Sequence, residues 1–203
     1  MIGGYDGKSR LKDCERINLI EGATSTYENM NSMNEARSHF GYAFHNKAIY
    51  VVGGFGQSKK IGNIPTDTVE KYEIEKDKWT LLSVKLPLKL SGVSCGYFED
   101  DKKIKIFGGN DSINRSTRLV FELDVHSDEG KLRECNAMLK KRQMNNKLYI
   151  KDQMVFLVGG TNESDCEIWK KFYTDEETIM EKTLFSYDKV IQGDLNCFSG
   201  FIM

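Results

Sequence analysis

The chain has 203 residues, 29 % of them charged and 39 % hydrophobic, a globular balance that fits one domain or an array of repeats. Its 29 basic and 30 acidic side chains nearly cancel, so net charge gives no electrostatic case for nucleic acid or an anionic membrane as partner. No apolar run approaches the roughly 18 residues of a spanning helix, which argues against membrane insertion. Met1-Ile2-Gly3-Gly4-Tyr5-Asp6 reads as folded repeat rather than as a signal peptide. The five cysteines (Cys14, Cys95, Cys135, Cys166 and Cys197) are odd in number and contain no CxxC, which points to reduced, structural thiols in a reducing compartment.

Taken in chain order, the elements repeat. Met1-Ile2 leads into Gly3-Gly4, Cys14 to Leu19 reads as the next strand, and Ser25 to Glu28 as the one after. Arg37 to Phe44 is predicted as a strand, His45-Asn46-Lys47 as a turn, and Ala48 to Val52 as a short β-rich run stopped by Gly53-Gly54. A polar loop is expected through Thr66. Val69 to Ile74 then aligns residue by residue with Cys14 to Leu19, and Lys78 to Leu82 follows a charged turn. Val93 to Phe98, Ile104 to Phe107 before Gly108-Gly109, Thr117 to Leu123 and Lys131 to Glu134 repeat the plan. Gly96 stands eight residues before Ile104, as Gly41 does before Ile49. Lys140 to Ile150 is a poorer copy, with Gln143 and Lys147 in the places of Arg37 and Gly41. Val155 to Val158 before Gly159-Gly160, Cys166 to Phe172 and Thr178 to Met180 complete a fourth unit, and Phe198 to Met203 matches a first strand again.

The second glycines of the pairs are 50, 55 and 51 residues apart. A period near fifty means one supersecondary unit copied several times, each unable to bury its apolar face alone. A glycine pair ending a buried strand permits positive φ and close backbone approach. Four antiparallel strands joined by short turns make a propeller blade. The expected architecture is therefore all-β, about four four-stranded blades in one region, 1–203, with units at roughly 1–32, 33–86, 87–138 and 139–203. Tyr50, Val52, Tyr72, Trp79, Phe107, Phe121, Phe156 and Val158 are the expected core.

Met33 to Gly41, then Ile49 to Gly54, then Tyr72 and Trp79, resemble the kelch repeat nearly in full, with Asn34 where the family carries proline. The resemblance is strong in the second unit and weaker in the others. It implies a kelch-type β-propeller, either a small four-bladed ring or part of a longer one, with the termini each falling inside a hairpin and the missing pairings supplied by neighbours.

Chemistry is harder to find. The three histidines are His39, His45 and His126. His39 and His45 flank one hairpin and could approach each other, but nothing completes a metal shell. No phosphate-binding glycine loop or nucleophile elbow occurs. The reading is no metal, no cofactor, no catalytic residue and no enzyme. Function should then lie in exposed loops: Tyr5, Asp6, Phe55, Gly56, Asn110, Asp111, Thr161 and Asn162 after the glycine pairs, and Arg37 and Ser38 where the chain enters a blade. The resemblance to kelch substrate adaptors implies that Arg37-Ser38 reach acidic peptides; the plainer reading is that Arg37 bridges blades. The expectation is a protein-interaction module whose partners are other proteins, most simply a scaffolding subunit of a large cytoplasmic or cytoskeletal assembly. The alternative is a substrate-recognition module of a ubiquitin ligase. A propeller enzyme such as a sugar mutarotase or oxidase is the most distant reading.

Overall fold

The computed structural model describes residues 1–19, 25–58, 62–99, 101–126, 130–143, 147–151, 154–158, 165–173 and 178–186. It is built from antiparallel strands, and its single helical element among these residues is one 3-10 turn at Ile74–Lys76. Blade 1 pairs β1 (Ile2–Tyr5), β2 (Arg10–Asn18) and β3 (Thr26–Met30) in that order. Blade 2 holds β4 (Arg37–Ser38), β5 (Gly41–His45), β6 (Ala48–Val52), β7 (Phe55–Ser58), β8 (Gly62–Glu73) and β9 (Lys78–Leu90). Its main path is β5-β6-β8-β9, and β4 and β7 extend one end of β8. Blade 3 runs β10 (Ser94–Phe98), β11 (Lys103–Phe107), β12 (Val120–Asp124), β13 (Lys131–Glu134). Blade 4 runs β14 (Lys147–Lys151), β15 (Met154–Val158), β16 (Asp165–Tyr173), β17 (Thr178–Ser186).

Alternation along each strand builds a core on both faces of the blades. In β6, Ala48, Tyr50 and Val52 point toward Ile104, Ile106, Phe121 and Leu123 of blade 3. Val51, on the opposite face, packs with Tyr72 and Trp79 of its own blade, with Met33, and with Cys14 of blade 1. Phe98, Phe107 and Val120 meet Met138, Val155 and Leu157 between blades 3 and 4. Six of the eight expected core residues are buried: Tyr50, Val52, Tyr72, Trp79, Phe107 and Phe121. The side chains of Phe156 and Val158 lie outside the described ones.

Two glycine pairs, Gly53-Gly54 and Gly108-Gly109, end the second strands as expected, whereas Gly3-Gly4 fall inside β1. Gly53 has φ +60°, and a β-carbon there would stand 2.4 Å from the Leu90 carbonyl oxygen of the next segment; at Gly108 the corresponding distance, to Arg142, is 2.2 Å. Both requirements, positive φ and backbone-to-backbone approach, therefore select glycine. Gly159-Gly160 lie outside the described residues.

Four sequence assignments change. The strand expected over Arg37 to Phe44 is broken, because His39 takes φ +52° and divides β4 from β5. The loop expected through Thr66 contains the β7–β8 hairpin, in which Phe55 pairs with Pro65 and Gly56 with Ile64. Gly96 is not the counterpart of Gly41: Gly41 pairs with Val52 beside its glycine pair, and Ser94 pairs with Phe107 in the same place. The shift arises because four residues separate β10 from β11, where blade 2 joins β5 to β6 through Asn46 and Lys47, both at positive φ. Finally, β9 runs to Leu90, well past Leu82.

Candidate functional site

The ends of the second strands and the segments leading into the next blade converge, and two buried arginines mark this zone. Arg37 in β4 is fully buried, with Ser38 beside it 3 % exposed. Its Nη2 donates to Glu70 Oε1 at 2.7 Å, Glu35 Oε2 at 2.8 Å and Thr68 Oγ1 at 3.0 Å, and its Nη1 to the Gly53 carbonyl at 3.0 Å. Glu70, equally buried, also accepts from the Asn34 and Glu35 backbone N–H groups at 2.8 and 3.1 Å. The pair clamps the chain as it enters blade 2. The expectation that Arg37 and Ser38 present an exposed recognition group is thus corrected: burial and internal partners consume the arginine. Its partners lie in its own blade and the segment leading into it, so it is not an inter-blade bridge either.

The same device recurs in blade 4. Arg142 is fully buried and pairs with Glu167 (Nε to Oε2 3.6 Å), which accepts from the Leu139 N–H at 2.8 Å. Glu167 faces Leu157 across the ladder as Glu70 faces Val51. Arg142, not Gln143, is therefore the counterpart of Arg37. The segment is one residue longer here, which displaced the alignment. In blade 3 the equivalent places hold Leu90 and Phe121, an apolar solution to the same contact.

The second arginine zone lies between blades 1 and 2. Arg10, at the start of β2, is 7 % exposed, and its guanidinium lies 4.2 Å from the centroid of the Tyr5 ring and 5.6 Å from that of Phe55. The Arg10 backbone N–H donates to Gln57 Oε1 at 2.6 Å. His39 packs edge-on against Phe55 with ring centroids 5.7 Å apart, and its Nδ1 lies 2.9 Å from Ser38 Oγ. Desolvation, then the Arg10 charge, hold the His39 pKa below its ordinary value.

The predicted loop residues divide. Tyr5 and Phe55 come together around Arg10, and Gly56 pairs with Arg37. Asp6 is exposed but occupied: its carboxylate accepts from the Lys8 and Ser9 N–H groups, each at 2.7 Å, which holds its pKa low. Asn110 is buried and bonded to Ser91 through its backbone. Asp111 organises its own loop, accepting from the Ile113 and Arg115 N–H groups, and these bonds, that from Arg115 first, lower its pKa. Thr161 and Asn162 lie outside the described residues. Arg10 and His39 were not legible as site residues. Arg10 reads as an ordinary strand cation, and nothing in the sequence signals a non-glycine at positive φ.

The other chemistry-bearing groups scatter. His45 stacks on Tyr97 at 3.6 Å and approaches His126 at 5.7 Å, so its near partner is His126 and not His39. Among the described residues no group of three or more metal-ligating side chains occurs, and no helix is long and apolar enough to cross a membrane. Cys14, Cys95 and Cys135 are free, each with its pKa raised chiefly by burial.

A second surface lies on the face of blade 2 turned toward blade 1. Tyr42 and Phe44 in β5 are 66 % and 60 % exposed, opposite Val51 and Ile49 of β6. Ile49 in turn lines an apolar cavity of about 370 Å³ shared with Ile2, Cys14, Met30, Tyr72 and Trp79.

The Kelch motif family matches residues 36–83. Residues 36–83 thus carry a kelch motif. The match falls on blade 2, where the sequence copy is fullest. Mouse Kelch-like protein 35 is 26 % identical over 164 residues, covering 61 % of this chain and 27 % of that protein. A kelch repeat-containing protein of Dictyostelium discoideum is 32 % identical over 87 residues, covering 41 % of this chain and 12 % of its own length. The chain thus spans well under half of these relatives. The solved structure of YjhT superposes with a TM-score of 0.68 at 12 % identity, over 89 % of this chain and 63 % of YjhT. The fold is a kelch-type β-propeller architecture. This likeness corrects the reading that the chain is not an enzyme: enzymes such as sugar mutarotases are built on kelch-like propellers, so the fold shared with YjhT gives no ground for excluding catalysis.

Proposed function

We propose that this kelch array is a scaffolding subunit of a multi-protein assembly and holds its partner through blade 2. Kelch repeats are protein-interaction modules. The observation that carries the reading is the exposed pair Tyr42 and Phe44, which leads through Ile49 into an apolar cavity. Large apolar side chains grouped on a rigid strand beside such a cavity suit a protein interface, where buried aromatic anchors supply most of the energy. A cytoplasmic, cytoskeleton-associated setting fits this role and the free cysteines.

The test is affinity isolation of the native complex with the wild-type chain and with Tyr42→Asp/Phe44→Asp. Retention of defined partners by the wild type and their loss from the variant, with an unchanged unfolding curve, is the expected result. Partners retained by the variant would sink the reading. The likeness to mouse Kelch-like protein 35 favours a second role, substrate recognition for a ubiquitin ligase. A ligase scaffold among the isolated partners would select it.

A further inference from the structure

Arg10 poses a problem that the fold solves elsewhere and leaves unsolved here. Arg37 and Arg142 are buried against the carboxylates of Glu70 and Glu167. Arg37 also keeps its Nε unbonded, but Arg10, buried almost as deeply, has neither Nε nor Nη1 bonded and, among the described residues, no carboxylate paired with it. The two rings that hold it, Tyr5 and Phe55, contribute through their faces, and neither accepts an in-plane N–H. A buried cation with vacant N–H groups is unfavourable unless something supplies the acceptor. The acceptor that matches a planar guanidinium is an oxyanion.

We infer that the junction between blades 1 and 2 at Arg10 is a binding site for an oxyanion, a carboxylate or phosphate group, received by the N–H groups of Arg10 between Tyr5 and Phe55. The side chain is only 7 % exposed and its Nε and Nη1 are covered, so the group must be slender and the Tyr5 or Phe55 ring must move aside to admit it. Nothing in the proposed blade 2 interface depends on it. His39 packs edge-on against Phe55, and among the described residues the charged group acting on its ring is Arg10, from β2; Ser38 and Phe55 beside it are uncharged. An anion on Arg10 offsets the charge that disfavours His39 protonation, so the imidazole reports occupancy.

The experiment is an NMR titration of the intact chain with inorganic phosphate and, separately, with acetate, at constant ionic strength set by chloride. The Arg10 Nε–H and the His39 ring are the resonances read. Saturable movement of the Arg10 signal, with a rise in the His39 pKa at saturation, is expected, and Arg10→Met should weaken binding at least tenfold. If that variant does not fold, Arg10→Lys, which keeps the charge but loses the planar fork, should weaken it several-fold. Saturation by phosphate alone assigns a phosphate ligand, and by acetate alone a carboxylate. No saturable movement with either anion, or binding unchanged in the folded variant, overturns the site.

Discussion

Arg37 and Arg10 stand at neighbouring places in the propeller and are handled oppositely. Both are withdrawn from solvent. Arg37 reaches two carboxylates, a hydroxyl and two backbone carbonyls with only its Nε left over, whereas Arg10 has two aromatic faces and neither its Nε nor its Nη1 bonded. A buried ion held by buried carboxylates holds the fold together, and removing one partner leaves the other stranded. A buried ion without a counterion contributes little to the fold and is available to a ligand. Burial by itself does not separate the two; the accounting of donors and acceptors does.

The largest effects should fall on the closed cluster. Glu70→Gln leaves the Arg37 charge without its buried counterion and should cost about 3–5 kcal/mol in denaturant unfolding. The double change Arg37→Met/Glu70→Leu should recover most of that loss, because blade 3 already fills the equivalent places with Leu90 and Phe121. A double variant as unstable as the single one would break the comparison. Trp79→Ala should cost a similar ~3–5 kcal/mol, since the ring is 7 % exposed, stacked on Tyr72 at 4.8 Å and bonded to the Asn31 carbonyl. A loss below about 1 kcal/mol would mean that blades 1 and 2 do not meet at Trp79.

A backbone effect comes next. Gly53→Ala forces positive φ on a side chain that meets the Leu90 carbonyl, and should cost about 1–3 kcal/mol or more. It tests whether the glycine pairs serve blade contact. Smaller still is an alkaline effect at Tyr72. Burial first, and then the bond its hydroxyl donates to Asp77, push its pKa from 10.0 to about 12. Because the folded-state pKa is the higher one, this stabilisation is complete below pH 10 and is lost as pH rises toward 12. Tyr72→Phe should flatten that part of the stability-versus-pH curve; an unchanged slope would assign the loss to another group.

The fold was legible where period-two alternation meets the glycine pairs: Ala48 to Val52 and Ile104 to Phe107 announce themselves by short apolar runs that stop at Gly-Gly. The β7–β8 hairpin was not, because Gly56, Gly62 and Pro65 read as loop residues until the pairing of Phe55 with Pro65 is known. The site was less legible than the fold. Arg37 read as a recognition group or an inter-blade bridge because its acceptor, Glu70, lies in a later strand of the same blade. Arg142 was hidden by one extra residue between it and Lys147. Arg10 gave no signal at all, since Phe55 and Gln57, which enclose it, belong to the next blade. Residues that stack in neighbouring strands carry their partners in the repeat; residues enclosed across a blade junction do not.

The most direct test sets the two arginines side by side: denaturant unfolding of Arg37→Met and Arg10→Met in the same buffer without added phosphate or carboxylate. The account predicts that Arg37→Met loses several kcal/mol, on the order of 3–5, as Glu70 is left buried and unpaired. Arg10→Met should change stability by less than about 1 kcal/mol, the lost ring contacts being offset by removal of an unpartnered cation. Equal losses at the two positions would contradict the claim that one arginine belongs to the fold and the other to a ligand.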